Sequence, residues 1–348
     1  MKQALVVGAT GFGGLGLIEI LTRHPHIAIK QLVARRDAGR PISEVFPHLK
    51  GVCDLMVDPA EEMKTDGIDI AFLSTPDRVG MSLAGTLIDQ GIAVIDFSGD
   101  FRFRSEEEYA AYARNRGLDE HHTSPHLLKE AVYGLPEKNA DSIRRARLVG
   151  NPGCFAICMI LGILPAVSEG ICATDTIICV GTTGVSGAGK NSGEANLYPQ
   201  RHENVNTYRE GTHQHTVEVE NILSQAAGRS LKVLFVPQIV PLNRGILIVS
   251  YLDIVSGMDT PKVLELYRRF YSASPFVMIV DRSPGTAEVR GSNRCLVRPL
   301  VDARTGKCIV VSVIDNLMKG QAGNAVQNAN IILSFPETAG LEHTPFYP

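Results

Sequence analysis

The chain opens with a pattern that predicts a strand, a glycine-rich turn and a helix. The apolar run 4–7 leads into the turn Gly8–Gly14, after which Leu15, Ile18 and Leu21 recur at helical spacing. Glycines lack a Cβ atom, so the backbone of such a turn can approach a pyrophosphate at the helix N-terminus. A dinucleotide site is therefore expected, the alternative being a turn without a ligand. The expected cofactor contacts in this turn are Gly8, Thr10, Gly11, Phe12 and Gly13.

A second strand is predicted over 29–34, about twenty residues after the turn, where the ribose of a dinucleotide is normally held. It ends in Arg35 and Arg36 rather than in an acidic residue. Arginine suits a ribose 2′-phosphate by its charge and its fork of donors. The cofactor expected is therefore NADP, with the alternative that one arginine of the pair is merely solvated.

Strands alternate with helical patterns through the first half of the chain. Apolar runs at 68–73 and 92–97 continue the alternation, which predicts a parallel sheet with ligands at the carboxyl ends of its strands. Ser74, Thr75 and Pro76 follow one such run and are candidate cofactor contacts.

The pattern changes near Asn151 to longer β-rich runs without this alternation, which predicts an α+β domain. The fold expected is α/β, a Rossmann-type parallel sheet with a second α+β domain for catalysis and oligomerisation. We expect the first domain over 1–150, the second over 151–315, and a C-terminal helix over 316–348 that packs back on the first. An exposed sheet in the second domain would be buried in a homodimer or homotetramer.

Charge and cysteine usage narrow the class of partner. The net charge of −3 over 348 residues provides no basic field for nucleic acid, which leaves small molecules as the expected partners. The longest apolar run, 154–167, is shorter than the roughly 20 residues of a membrane span. Seven cysteines form no C-x-x-C pair, so neither disulfides nor a metal site is indicated, and a cytoplasmic protein is expected.

The turn Gly150–Phe155 delivers Cys154 to the start of an apolar segment. If that segment is a helix, its positive end would stabilise a thiolate and lower the pKa of the thiol from its usual value of about 8.5. Cys154 is then a nucleophile, and the alternative is a buried core cysteine.

A proton-transfer partner is sought among the histidines, whose unperturbed pKa suits exchange near neutral pH. Thr212 is expected to cap a helix that ends before Gly228, with His215 in its first turn, where the helix dipole favours a neutral base. His215 is preferred to His213, and both could instead be surface or capping residues.

Anion recognition is expected in the glycine- and hydroxyl-rich loop 181–190, which contains Ser186 and ends in the cation Lys190. A plain flexible loop is the alternative. Arg102 and Arg244 are further candidate anion partners, although surface salt bridges would explain either one.

Several motifs occur together and in order across nearly the whole chain, and with them it resembles the N-acetyl-gamma-glutamyl-phosphate reductase family of the aspartate-semialdehyde dehydrogenase superfamily. Besides the opening glycine turn, the motifs are Asp96–Arg102, Tyr133–Glu137, Asn151–Cys154, Gly184–Gly189, His213–His215, Asn243–Ile246 and Asp315–Gly320 through Asn328.

The resemblance implies that Cys154 attacks an acyl phosphate, that the resulting thioester is reduced by NADPH to an aldehyde, and that Asn316 lies near the nicotinamide. Proline is usual in the family where Val217 stands, and arginine is more frequent where Lys190 stands, so the histidine turn and the anion loop differ here. A sibling reductase for an aminoadipyl or aspartyl phosphate is an alternative. So is a non-catalytic NADP sensor, which would need neither Cys154 nor His215.

Overall fold

A computed structural model describes residues 1–190 and 193–348 of the chain. The chain divides into two compact units. The first comprises 1–110, 119–152 and 321–342, and the second comprises 111–118, 153–320 and 343–348. The two units are described separately below.

The first unit is built on a parallel sheet, as the alternation of strands and helices predicts. Within the described residues it has seven strands in the order β3-β2-β1-β4-β5-β7-β6. Every neighbouring pair runs parallel. The strands are β1 (Lys2–Val7), β2 (Ile27–Val33), β3 (Val57–Asp58), β4 (Ile70–Leu73), β5 (Ala93–Asp96), β6 (Val132–Tyr133) and β7 (Leu148–Gly150).

The sequence of the first unit sets the order of this sheet. Short apolar strands alternate with helices, and the central strands β4 and β5 are almost fully buried. Crossover connections of this kind place the carboxyl ends of β1, β2 and β4 side by side at one end of the sheet. The helices that begin in the part of the chain between β1 and β7 are α1 (Phe12–Leu21), α2 (Ile42–Val45), α3 (Gly80–Asp89), α4 (Glu106–Arg116), α5 (Pro125–Leu128) and α6 (Pro136–Ile143).

The second unit contains a mixed sheet. Its order within the described residues is β12-β13-β14-β11-β8-β10-β9. The pairs β8/β10 and β12/β13 are parallel, and the remaining neighbours are antiparallel. The strands are β8 (Thr176–Thr183), β9 (Asn206–Thr207), β10 (Lys232–Ile239), β11 (Ile246–Asp253), β12 (Val277–Ile279), β13 (Cys295–Asp302) and β14 (Lys307–Ile314).

Helices cover one face of the mixed sheet. α7 packs on β11, β13 and β14, while α9 packs on β10 and α10 on β13. The helices of this part of the chain are α7 (Cys154–Ser168), α8 (Tyr198–Arg201), α9 (His215–Ala227) and α10 (Thr260–Phe270). In α7 every residue of 155–167 is buried. This helix is therefore the centre of the core of the second unit.

The C-terminal segment forms a shorter helix than the prediction of 316–348. A π-helical turn covers Met318–Ala322 and α11 covers Gly323–Ile332. α11 packs within the first unit on α1, α6 and β5. The helix ends because Ser334 takes a left-handed conformation (φ +59°) and Pro336 follows, which cannot continue a helix. The prediction of a helix to residue 348 is wrong.

Candidate functional site

Cys154 is the first residue of α7, as the turn before it predicts. The N-terminal cap is Gly153, in extended conformation and without a side-chain cap. The first N–H groups of α7 therefore surround the start of the helix with positive potential, which favours a thiolate. Cys154 is partly exposed, whereas the other six cysteines are buried. It is thus the cysteine that can meet a substrate.

Three polar side chains of the first unit fix the turn that precedes this cysteine. The Asn151 carboxamide Oδ1 accepts from the Asn324 Nδ2 at 2.8 Å and from the Asn328 Nδ2 at 3.3 Å. Its own Nδ2 donates to the carbonyl of Gln321 at 3.1 Å. The Arg102 Nε donates to the carbonyl of Asn151 at 2.8 Å. These bonds hold the residue three places before Cys154 in one conformation.

His215 is packed directly against the cysteine turn. A Cβ atom on Gly153 would lie 2.2 Å from the His215 Nε2, so only glycine leaves room for the imidazole. His215 is the first residue of α9 and is 8 % exposed. Within the second unit, the structure thus brings His215 beside the residue that precedes Cys154.

Glu218 is a site residue that the sequence reasoning missed. It is almost fully buried, and its Oε2 accepts from the N–H of Gly153 at 3.1 Å. Its Oε1 lies 3.9 Å from the His215 Nε2. One carboxylate therefore faces both the histidine and the cysteine turn. The signal was the His-x-x-Glu spacing, which places both side chains on one helix face.

His213 has a different role from His215. Its Nδ1 accepts from the N–H of His215 at 3.2 Å, so His213 provides a hydrogen-bond partner for the first N–H group of α9. The prediction that Thr212 caps this helix is wrong, because the cap position is Gln214 and the Thr212 N–H bonds back to Arg209.

Aromatic rings surround His213. The rings of Phe155, Phe235 and Tyr208 lie 5.5, 5.3 and 5.7 Å from its ring, centroid to centroid. Burial, then the charge of His215, lowers the pKa of His213 to about 2. His213 therefore stays neutral, and because its Nδ1 accepts a hydrogen bond, its proton is on Nε2.

Tyr208 is a second residue that the sequence reasoning missed. Burial raises the pKa of its hydroxyl, and the negative charge of Cys154 contributes to the same shift. Its ring lies beside His213. A tyrosine in a loop gives no sequence signal for this position, because only the fold brings it to the site.

Gly320 closes the space behind Cys154. A Cβ atom on Gly320 would lie 2.9 Å from the Cβ of Cys154. Gly320 belongs to the π-helical turn Met318–Ala322. Such turns are rare and often occur at functional sites. The π-helical turn lets the backbone approach the cysteine where an ordinary side chain would push it away.

Ser186, Arg244 and Asn316, three of the predicted site residues, are connected in the second unit. The Asn316 Nδ2 donates to the Ser186 Oγ at 2.9 Å, and its Oδ1 accepts from the N–H of Gly245 at 2.8 Å. Arg244 pairs with the fully buried Asp315, with 3.1 Å between Nη2 and Oδ1. Asp315 also accepts from the N–H groups of Gly291, Leu317 and Met318. The group is therefore held rigidly.

Two predicted anion partners are not part of this group. The side chain of Arg102 in the first unit donates to the main-chain carbonyls of Asn151 and Phe97, at 2.8 and 2.6 Å. Lys190 is exposed at the end of its loop. Arg102 thus binds the backbone of the cysteine turn. The sequence did not suggest this role, which is an alternative to anion binding.

The glycine turn after β1 forms a cradle. A Cβ atom on Gly8 (φ +84°) would lie 2.1 Å from the Ser74 carbonyl oxygen, and one on Gly13 would lie 2.4 Å from the Ser74 Oγ. On Gly11 the only neighbour would be the Gly8 carbonyl, at 3.5 Å. The turns that follow β1 and β4 thus lie very close to each other here. Helix α1 begins at Phe12. A pyrophosphate fits this arrangement.

The remaining cofactor candidates lie around the cradle. The Thr10 Oγ1 donates to the Arg36 carbonyl at 3.4 Å, which links the turn to the end of β2. Arg35 and Arg36 are exposed, and among the described residues neither forms an ion pair. The Thr75 Oγ1, between Ser74 and Pro76 at the end of β4, is buried without a hydrogen-bond partner. These free groups fit a dinucleotide.

Within residues 1–190 and 193–348, no group of three or more His, Cys, Asp or Glu side chains is arranged to hold a metal ion. No helix in that part of the chain has both the length and the apolar character to cross a membrane.

Models of two protein domains match the chain in order. A semialdehyde dehydrogenase NAD binding domain matches residues 3–146, and a semialdehyde dehydrogenase dimerisation domain matches residues 154–316. The glycine cradle lies in the first match, and Cys154, His215 and Glu218 lie in the second. A nicotinamide cofactor is thereby supported for this chain.

Solved structures show the same fold. Aspartate semialdehyde dehydrogenase II of Vibrio cholerae, complexed with ASA, matches 96 % of this chain and 98 % of its own with a TM-score of 0.72 and 19 % identity. The aspartate semialdehyde dehydrogenase of Candida albicans, with NADP, matches the same shares with a TM-score of 0.68 and 17 % identity. The predicted fold class is confirmed.

Curated relatives are more similar in sequence. The N-acetyl-gamma-glutamyl-phosphate reductase of Pelobacter propionicus is 42 % identical over the full length of both chains. The enzyme of that name from Bacillus cereus is 39 % identical, again over all of both chains. The resemblance given by the motifs is confirmed: the chain is an enzyme and belongs to the N-acetyl-gamma-glutamyl-phosphate reductase family of semialdehyde dehydrogenases.

Proposed function

We propose that this protein reduces N-acetyl-gamma-glutamyl phosphate to N-acetylglutamate semialdehyde and phosphate in arginine biosynthesis, with NADPH as reductant and Cys154 as covalent nucleophile. The observation that carries the proposal is the contact of His215 and Glu218 with the turn that presents Cys154 at the start of α7. The seven free cysteines fit a reducing compartment, and we infer a cytoplasmic location.

Cys154 attacks the acyl carbon of the substrate as a thiolate. A C–S bond forms, the bond from the acyl carbon to the phosphate oxygen breaks, and phosphate leaves. When bound, NADPH supplies a hydride to the thioester carbon. The oxyanion that results expels the sulfur, which gives the aldehyde and regenerates the thiolate. The N-terminus of α7 favours the thiolate both as attacking and as leaving group.

His215 is the proton-transfer residue of this proposal. It takes the thiol proton before attack and returns it to the thiolate that the collapsing intermediate releases. We do not propose His213 as the base, because burial lowers its pKa and makes it a weak proton acceptor. His213 instead orients α9 through its bond to the N–H of His215.

Glu218 acts as a positioning residue. Its carboxylate accepts from the N–H of Gly153 and faces the His215 Nε2, so it fixes the distance between helix α9 and the cysteine turn. It also favours the imidazolium form of His215, since an adjacent negative charge stabilises a cation. The pair can thus hold the proton that the thiol releases.

Substrate anions are assigned to the Ser186 side of the second unit. The Gly184–Gly189 turn contributes the Ser186 hydroxyl, and Arg244 adds a guanidinium that is 26 % exposed while Asp315 holds it in place. A fixed guanidinium suits a carboxylate or a phosphate. Further candidate contacts of the substrate are Arg102, Lys190 and His213.

The cofactor proposed is NADP, bound by residues 1–150, with 151–315 for catalysis and dimerisation. Gly8, Thr10, Gly11, Phe12 and Gly13 would hold the pyrophosphate. Arg35 and Arg36 would pair with the 2′-phosphate, and Ser74, Thr75 and Pro76 would line the cofactor from β4. Asn316 is proposed on the nicotinamide side. The unpaired state of both arginines supports NADP over NAD.

A second copy of the chain is proposed to cover the helix-free face of the mixed sheet. There, Leu234, Ile178, Tyr251 and Ile309 stand in register across four neighbouring strands. Leu234, Ile178 and Tyr251 are 49, 43 and 38 % exposed. An apolar row of this kind is typical of a protein interface, and the matching domain model is described as a dimerisation domain.

The first prediction tests the reaction. With phosphate, NADP and each semialdehyde in turn, we expect NADPH absorbance to rise with N-acetylglutamate semialdehyde and not with the aspartate or aminoadipate analogue. Cys154→Ser should lower kcat by about 10³-fold or more, because a hydroxyl is a far weaker nucleophile.

Cys158→Ala is the matched control, since burial raises the pKa of that thiol to about 12 and it has no role in turnover. Faster turnover of another aldehyde, or an active Cys154→Ser variant, would contradict the proposal.

The second prediction separates the two histidines. His215→Gln should lower kcat by about 10²- to 10⁴-fold, the usual contribution of general acid–base catalysis. His213→Phe keeps the aromatic packing and should cost less. It should also keep the acid limb of the pH–rate profile, because the pKa of His213 is about 2 and it does not titrate in that range. Loss of that limb in His213→Phe would reverse the assignment.

The third prediction concerns cofactor choice. Replacing Arg35 and Arg36 together with alanine should raise the KM for NADPH about tenfold to a hundredfold, as expected for lost charge-assisted hydrogen bonds. The KM for NADH should not change. Arg23→Ala, at another exposed arginine of the first unit, is the control. An equal effect on both cofactors would show that the arginines do not read the 2′-phosphate.

The fourth prediction concerns assembly. Ile178→Glu places a charge in the middle of the apolar row and should convert the oligomer into monomer, as measured by light scattering after size exclusion. Lys50→Glu, exposed in the first unit, should leave the mass unchanged. A wild-type protein of monomer mass at micromolar concentration would refute the proposed interface.

A further inference from the structure

A cavity of about 390 Å³ lies in the first unit at β6, which is the edge strand of the parallel sheet. The cavity has the size of small-molecule sites, which begin at about 300 Å³. None of the site residues named above lines it. Its wall consists of Arg104, Lys129, Glu130, Ala131, Val132, Tyr133, Asn139 and Ser142.

Charges of both signs line this cavity and do not neutralise one another. Arg104 comes from the segment after β5, and Lys129 and Glu130 from the segment before β6. Among the described residues, none of these three side chains forms an ion pair. Two cations and one carboxylate, all three exposed, therefore line a common space without an ion pair among them.

A third cation, Lys138, lies near Arg104 but is not among the residues that line the cavity. Lys138 of α6 is half-buried, and burial followed by the charge of Arg104 lowers the pKa of its ammonium group. Like charges that approach each other are unfavourable unless an anion compensates them. No ion pair holds Lys138 among the described residues. The positive side of the cavity is thus suited to one negative group.

The wall between the charged groups is fixed by a kink. Asn139 has non-helical backbone angles (φ −122°, ψ 17°) inside α6, and its Nδ2 donates to the carbonyl of Tyr133 at 2.8 Å. This bond ties α6 to the edge strand. Ser142 lies one turn later on the same helix face and adds a hydroxyl. A fixed wall lowers the ordering cost of binding a small ligand.

We propose that this cavity binds a free α-amino acid, with its carboxylate between Arg104 and Lys129 and its ammonium group on Glu130. A phosphate alone would satisfy the cations and leave Glu130 facing a like charge. A zwitterion satisfies both signs at once. The proposal does not depend on the reaction proposed above, because it concerns binding in the first unit.

The test uses L-valine as the probe, whose neutral side chain confines the charge test to the α-groups. Binding to the full-length protein is followed by ligand-observed NMR saturation transfer and titration. N-acetyl-L-valine lacks the ammonium group, and L-valinamide lacks the carboxylate. We expect wild type to bind L-valine at least about tenfold more tightly than either derivative, the loss typical of a removed charged hydrogen bond.

Variants identify the groups. Arg104→Gln should weaken L-valine about tenfold or more, whereas Arg145→Gln, an exposed arginine beyond α6, should not. Glu130→Gln should weaken L-valine and leave N-acetyl-L-valine unchanged. Lys129→Gln serves as the second cation variant if Arg104→Gln does not fold. No binding by wild type, or equal binding by wild type, Arg104→Gln and Lys129→Gln, would overturn the proposal.

Discussion

The contact between the His215 imidazole and Gly153 is the constraint on which the site depends. The ring occupies the space that a Cβ atom would fill, so the residue before Cys154 must be glycine. The same residue donates its N–H to Glu218, which stands three places after His215 in α9. One main-chain residue is therefore clamped by an imidazole and a carboxylate of a single helix. Its conformation sets where α7 begins, and hence where the thiol lies.

A second tight backbone approach supports the first. Gly320, in a π-helical turn, leaves no room for a side chain beside Cys154. The turn continues from the segment in which Asp315 holds Arg244 and Asn316 holds Ser186. A change in either pair would thus shift the backbone beside Cys154, because only a few residues separate them. Rigid main chain on both sides thus helps to define the position of Cys154.

Much of this could be predicted because it follows from local pattern. The glycine turn after β1, the start of α7 at Cys154 and the end of α9 before Gly228 each have a signal within a few residues. Tyr208 could not be found in this way, and the His-x-x-Glu spacing of Glu218 does not indicate that the carboxylate is buried. An acidic residue in a first helical turn is ordinary at a solvent-exposed N-terminus, and only the tertiary fold buries Glu218. The bond from the His215 N–H to the His213 Nδ1 was not predicted because an imidazole nitrogen accepts it in place of the expected hydroxyl.

The burial of α7 limits how proteins with this architecture can diversify. From 155 to 167 every residue is buried, so Cys154 is the one residue among 154–167 that the helix leaves partly exposed. Adaptation to a new acyl chain must then come from the connections at strand ends, such as the loop between β10 and β11. The sequence of those connections can change during evolution without disturbing the fold that positions Cys154.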